Sequence, residues 1–171
     1  WNNLMGDPGI ELWTAAPQEF VVTYENQLFL GSNNAYINVK DSENQPVTNA
    51  WVSLYKEDED FSIRGFSDEE GNVVLPVSLN STGEVSLVVS KHNHLPAIHS
   101  VSVIQGTQFV NVNDTIIDDD NIGSSIGNND GFINPGEMVE LSIGLKNYGT
   151  STVYNVTGSI QTDNQNVEVI S

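Results

Sequence analysis

From Glu19 onward apolar and polar side chains alternate. Ala35, Ile37 and Val39 fall on one side of an extended segment, Tyr36, Asn38 and Lys40 fall on the other, and Val85, Leu87 and Val89 repeat the scheme. A period of two sends successive side chains to opposite faces of a sheet. No stretch holds the 3.6-residue apolar period of an amphipathic helix. Short β-branched and aromatic runs predict strands at 20–24, 35–40, 50–55, 62–66, 73–77, 85–89 and 100–104. Asn44-Gln45-Pro46, Glu70-Gly71-Asn72 and Thr82-Gly83 supply turns between them. Seven such strands are enough for one sandwich, so the chain is expected to be all-β.

A polar, acidic stretch over 111–131 interrupts the pattern, and Val139-Glu140-Leu141-Ser142-Ile143-Gly144-Leu145 resumes it. Residues 139–147, 154–162 and 167–170 read as three further strands, too few to close a sandwich alone. They are expected to open a second, truncated β module; a small sheet packed on the first unit is the alternative. The first sixteen residues differ in kind. There Gly6-Asp7-Pro8-Gly9 makes a turn between Trp1, Leu4 and Met5 on one side and Ile10, Leu12 and Trp13 on the other.

Charge narrows the partners. The 171 residues carry 5 Lys+Arg against 23 Asp+Glu, a formal charge of −18, which repels phosphate backbones and anionic lipid. Nucleic acid is therefore not expected as a partner, and with no apolar run long enough to span a bilayer, neither is membrane insertion. An oxygen-rich acidic surface instead attracts a hard cation such as Ca²⁺. There is no cysteine, so disulfides, thiolate metal sites and a cysteine nucleophile are excluded from this chain. Sequons begin at Asn80, Asn113 and Asn155, as chance allows in a chain rich in Asn, Ser and Thr.

The run Leu4-Met5-Gly6-Asp7-Pro8-Gly9-Ile10-Glu11-Leu12-Trp13-Thr14 resembles the end of the catalytic domain in gingipain-type cysteine peptidases, caspase-like proteins followed by immunoglobulin-like modules. The resemblance implies that residues 1–16 are the tail of an upstream peptidase domain, with the catalytic Cys and His outside this chain. Asp41-Ser42-Glu43-Asn44-Gln45-Pro46-Val47, Ala50-Trp51-Val52-Ser53-Leu54-Tyr55 and Ser67-Asp68-Glu69-Glu70-Gly71-Asn72-Val73 are similar to carboxypeptidase-regulatory-type sandwiches, a likeness of architecture rather than activity. Gly127-Asn128-Asn129-Asp130-Gly131-Phe132-Ile133-Asn134-Pro135-Gly136-Glu137 with Leu145-Lys146-Asn147-Tyr148-Gly149 resembles the opening of bacterial extracellular sandwich modules that follow secreted peptidases. The organisation these resemblances imply is a peptidase tail over 1–16, an immunoglobulin-like β-sandwich over 17–106 and a second, truncated β-sandwich module over 107–171.

The acidic loop carries the strongest chemical signal. Asn128, Asp130, Gly131, Ile133, Asn134 and Glu137 match positions 3, 5, 6, 8, 9 and 12 of a calcium loop, with the Phe132 carbonyl at position 7. Ile126 stands where the first Asp belongs, and Pro135-Gly136 precludes the exiting helix of an EF-hand. Asp118, Asp119 or Asp120 can supply the missing charge, and the expected ligand set is Asp118, Asp120, Asn128, Asp130, the Phe132 carbonyl, Asn134 and Glu137. The alternative is a solvated acidic linker with an Asp-Gly turn.

Other constellations are weaker. His92, His94 and His99 have zinc-ligand chemistry, but Pro96 and the turn at Asn93 put these residues in a loop between two strands. Asp58, Glu59 and Asp60, like Asp68, Glu69 and Glu70, read as solvated turn charge rather than an acid–base pair. Isolated serines lack a nucleophile elbow. Trp51, Tyr55, Phe61 and Phe66 form either core or an aromatic platform for sugars. The expectation is a non-catalytic accessory module of a secreted or cell-surface bacterial peptidase, packed against the upstream domain and stiffened by structural Ca²⁺. The rival expectations are an adhesion or carbohydrate-binding module engaging an extracellular protein or glycan, and an autonomous metallohydrolase built on the three histidines.

Overall fold

The computed structural model describes residues 13–170. It is all-β: ten strands are present among the described residues, and one short turn of 3-10 helix, Glu57–Glu59. The strands are β1 (Phe20–Tyr24), β2 (Gln27–Phe29), β3 (Asn34–Asp41), β4 (Trp51–Lys56), β5 (Phe61–Phe66), β6 (Asn72–Pro76), β7 (Gly83–Ser90), β8 (Ala97–Ile104), β9 (Val110–Asp118) and β10 (Glu140–Asn147). They make a three-stranded sheet in the order β1-β3-β6, a five-stranded sheet in the order β2-β8-β7-β4-β5 and a two-stranded ribbon of β9 and β10.

Alternation decides which side of each sheet is buried. Ala35, Ile37, Val39, Val73 and Leu75 of the three-stranded sheet join Val52, Leu54, Val85, Leu87, Val89, Val101 and Val103 of the five-stranded sheet in one apolar cluster. Each of the Val, Leu and Ile side chains contributes roughly 1.5–3 kcal/mol when fully buried. Gly71 completes the turn before β6: its φ is +78° and a Cβ there would overlap the Val39 carbonyl oxygen, so glycine is required both by conformation and by space.

All seven strands predicted over 20–104 are present, with no end moved by more than three residues. The departures lie where pairing overrides local pattern. β2 is a short parallel addition beside β8, joining Gln27–Phe29 to Ser102, Val103 and Ile104. The acidic stretch expected to be irregular begins as a long strand instead. β9 (VNVNDTIID) pairs with β10 from Asn147↔Val110 to Glu140↔Asp118, with a register shift at Gly144/Leu145. Conversely, 154–162 and 167–170 form no strand, and their apolar side chains, including Tyr154 and Ile170, are exposed. The expected three strands of the second module are therefore β10 alone, paired with the unforeseen β9. The run at 4–12 lies outside the described residues.

The ribbon meets the larger sheets at a defined joint. Asn111 Nδ2 donates to the Gly31 carbonyl at 2.8 Å and Asn33 Nδ2 to the Val112 carbonyl at 3.1 Å. Phe29 stacks on Phe109 with ring centroids 5.0 Å apart.

Candidate functional site

Beyond β9 the chain enters the acidic loop, which Ile126 and Met138 close by paired backbone hydrogen bonds of 2.7 and 2.9 Å. Ile126, the residue that breaks the calcium template, thus serves the backbone instead. Inside the loop the sequence-derived residues fall into two groups. Asp118 and Asp120 turn toward Ser125, whose buried hydroxyl lies 3.2 Å and 3.3 Å from their Oδ1 atoms. The second group is built on Asp130 and Glu137. Asp130 accepts from the Phe132 N–H at 2.9 Å, Asn128 Nδ2 at 3.0 Å and Asn134 Nδ2 at 3.1 Å. Glu137 clasps the loop with both oxygens, taking the N–H of Asn128 at 3.1 Å and of Asn134 at 3.0 Å.

Asp119 connects the two groups. Its side chain is 1% exposed, its carboxylate accepts the N–H groups of Asp130 and Gly131 at 3.1 and 3.3 Å, and its carbonyl accepts from Asn129 at 3.1 Å. Gly127 packs so closely that a Cβ would lie 2.7 Å from both Asp119 Cβ and its carbonyl oxygen. The carboxylate that reaches the Asp130 segment is thus Asp119, not Asp118 or Asp120. Three consecutive aspartates look alike in sequence, and only the exit angle from β9 distinguishes them.

The electrostatics favour charge at Asp130. The Phe132 N–H, against a desolvation that opposes it, together with the Asn128 and Asn134 carboxamides, lowers its pKa below the ordinary carboxylate value. Among the described residues no three His, Cys, Asp or Glu side chains converge as a metal cluster. The Asp130 group combines two carboxylates with the carboxamides of Asn128 and Asn134, which turn Nδ2 toward Asp130 here; carboxylate and carboxamide oxygens are the ligand chemistry Ca²⁺ takes.

The histidines diverge. His94 stacks on Phe20 at 4.7 Å, His92 Nε2 lies 3.2 Å from Thr14 Oγ1, and His99 faces Tyr24 from β8. They supply no zinc centre. The 57–60 acids are not merely solvated turn charge: the buried Lys56 ammonium meets Asp58 Oδ1 at 2.5 Å and Glu59 Oε1 at 2.9 Å. Its neighbour Ser81 Oγ lies at 2.8 Å. Burial lowers the Lys56 pKa, but hydrogen bonds and charge from Asp58 and Glu59 outweigh it and raise the value overall, which favours the charged amine. Of the four aromatics, Phe61 packs against the core while Trp51, Tyr55 and Phe66 are exposed.

Solved structures similar to this chain include the Arg-specific cysteine proteinase gingipain R (RgpB), at 20% identity over 58% of this chain and 22% of that one, with a TM-score of 0.46. The complex of Porphyromonas gingivalis RgpB pro- and mature domains gives 19% identity over 58% and 22% at 0.46, and a structure described as a protease 21% over 57% and 20% at 0.44. The match thus spans about a fifth of the length of those chains. No protein-family model matches the sequence, and no curated protein matches it. Among the described residues no helix is long and apolar enough to cross a membrane.

Proposed function

We propose that this chain is a non-catalytic accessory module of a secreted, gingipain-like bacterial cysteine peptidase: an immunoglobulin-like β-sandwich over 17–106, joined to a second β module over 107–171 by a junction that holds a structural Ca²⁺. The observation that carries this reading is the convergence of Asp130, Glu137, Asn128 and Asn134 in one loop beside buried Asp119. Asp130, Glu137, the two carboxamide oxygens and the Phe132 carbonyl would hold the ion. A cation that binds only the folded loop adds its binding free energy to the ordered state.

The peptidase side rests on the sequence resemblance at 4–14. It is supported by the way the chain enters the sandwich: the N–H groups of Thr14 and Ala15 donate to Asn93 Oδ1 at 2.8 and 3.3 Å, so the segment that follows the resemblance is tied to the β7–β8 turn. A domain preceding it would be held against that end. The role is mechanical, positioning one domain against the next. Calorimetric titration of chelator-stripped protein with CaCl₂, beside thermal unfolding with and without EDTA, tests it. About one ion bound with a raised melting temperature, both lost in the Asp130→Ala, Glu137→Ala double variant, is the expected result; no heat and no shift removes the calcium site.

A further inference from the structure

At its β4–β5 edge the outward face of the five-stranded sheet carries aromatic side chains where a solvated sheet is ordinarily polar. Trp51 and Phe66 sit directly opposite each other on β4 and β5, 53% exposed Trp13 stands nearby, and these three help line a surface depression of about 630 Å³. Trp51 and Phe66 meet edge to face with centroids 4.8 Å apart, so each ring fixes the other while both stay partly exposed, at 37% and 59%. Neither joins the core cluster, and an exposed aromatic cluster of this kind marks a binding surface more often than a packing one.

Charge selects the ligand. In a chain of net charge −18, the described residues lining this depression include no Asp or Glu, but do include Lys91 and His92. Arg64 lies over Trp51, its Cζ 5.0 Å from the ring. Asn49 and Ser90 add neutral polar groups to the lining. Lys91 Nζ spends one donor on the Thr48 carbonyl at 2.6 Å, leaving the ammonium fixed in place with further N–H groups to offer. Rigid aromatic faces beside neutral polar groups and cations suit a stiff ring that has an apolar C–H face, hydroxyls at its rim and a carboxylate. The volume falls within the range of small-ligand sites.

We propose that this depression binds a uronate-bearing oligosaccharide, packing a sugar ring against the Trp51–Phe66 pair and taking its carboxylate at Lys91. The test is titration of the whole chain with tetragalacturonate and with neutral maltotetraose, followed by tryptophan fluorescence and calorimetry at low salt. Saturable binding of the acidic sugar, weakened about tenfold or more by Trp51→Ala and by Lys91→Met, in variants that thermal unfolding shows to be folded at the titration temperature, supports the site. No response, or equal binding of the two sugars, overturns it. Acrylamide quenching addresses the rival occupant: if the quenching lost on Trp51→Phe shows Trp51 shielded in the free protein, residues 1–12 fill the depression and the proposal falls.

Discussion

Tyr148 occupies the space that a side chain at residue 31 would need. A Cβ on Gly31 would overlap Tyr148 Cγ, and Gly31 itself has a φ of +87°. The tyrosine is held by its hydroxyl, 3.0 Å from Asn113 Oδ1, and by Lys146 Nζ, 4.7 Å from its ring centroid. The joint between the ribbon and the larger sheets therefore depends on a missing methyl group as much as on any bond. Gly31→Ala should cost more than about 1 kcal/mol through the positive φ alone, and should displace Tyr148 as well. The expected outcome is faster hydrogen exchange in β9 and β10 with exchange in β4 and β7 unchanged; equal protection in both regions would mean that the joint tolerates the methyl.

Glu59 makes the fold acid-sensitive in a defined window. Hydrogen bonding from the Ser81 hydroxyl, opposed by desolvation and reinforced by the Asn80 N–H, Lys56 and the Ser81 N–H, lowers its pKa from 4.5 to about 2. A depressed folded-state pKa contributes stability that is complete above the unfolded value and lost as pH falls through the folded one. Urea midpoints should therefore fall between pH 4.5 and 2, and Glu59→Gln should flatten that part of the profile while lowering stability at neutral pH, where it leaves buried Lys56 with one carboxylate, Asp58, in place of two.

These relationships differ in how far they could be read in advance. Strands 20–104 follow from alternation because one face of each is buried, so the local pattern and the tertiary environment agree. β9 does not, since Asn111, Asn113, Asp114 and Thr115 carry no period and the strand exists through its pairing with β10. Lys56 was equally hidden: a lysine flanked by Tyr55 and Glu57 reads as surface, and only the return of Ser81 to Glu59, at 2.6 Å, reveals why it is enclosed. Asn128, Asp130, Asn134 and Glu137 were legible because their spacing is set within one loop, whereas the choice of Asp119 over its neighbours required the third dimension.

His99 offers a gain in stability. Its Nε2 is buried without a hydrogen-bond partner among the described residues, and its ring lies 5.0 Å from that of Tyr24. Replacing an unsatisfied buried polar atom by carbon removes a desolvation cost of about 1–3 kcal/mol. His99→Phe keeps an aromatic ring against Tyr24 and should raise the urea midpoint with an unchanged slope; a lowered midpoint would mean that the extra volume is not accommodated.

The acidic loop separates structural from ion-dependent order through two different carboxylates. Asp119 is enclosed and holds the N–H groups of Asp130 and Gly131, so Asp119→Ala strands two backbone donors, at about 1–3 kcal/mol for each left unpaired. That loss needs no cation, and exchange at residues 129–131 should accelerate equally with CaCl₂ and with EDTA. Asp130 is exposed, its bonds to Asn128 and Asn134 are side-chain to side-chain, and the backbone N–H it takes from Phe132 belongs to an exposed residue, so water can replace each when the carboxylate is removed. Asp130→Ala should therefore leave the loop little changed in EDTA and abolish the protection that CaCl₂ confers. Exchange mass spectrometry of both variants in both buffers gives four measurements, and the calcium reading requires the difference between buffers to vanish only where Asp130 is missing or where the loop has already opened. A buffer difference that survives Asp130→Ala would place the ion elsewhere.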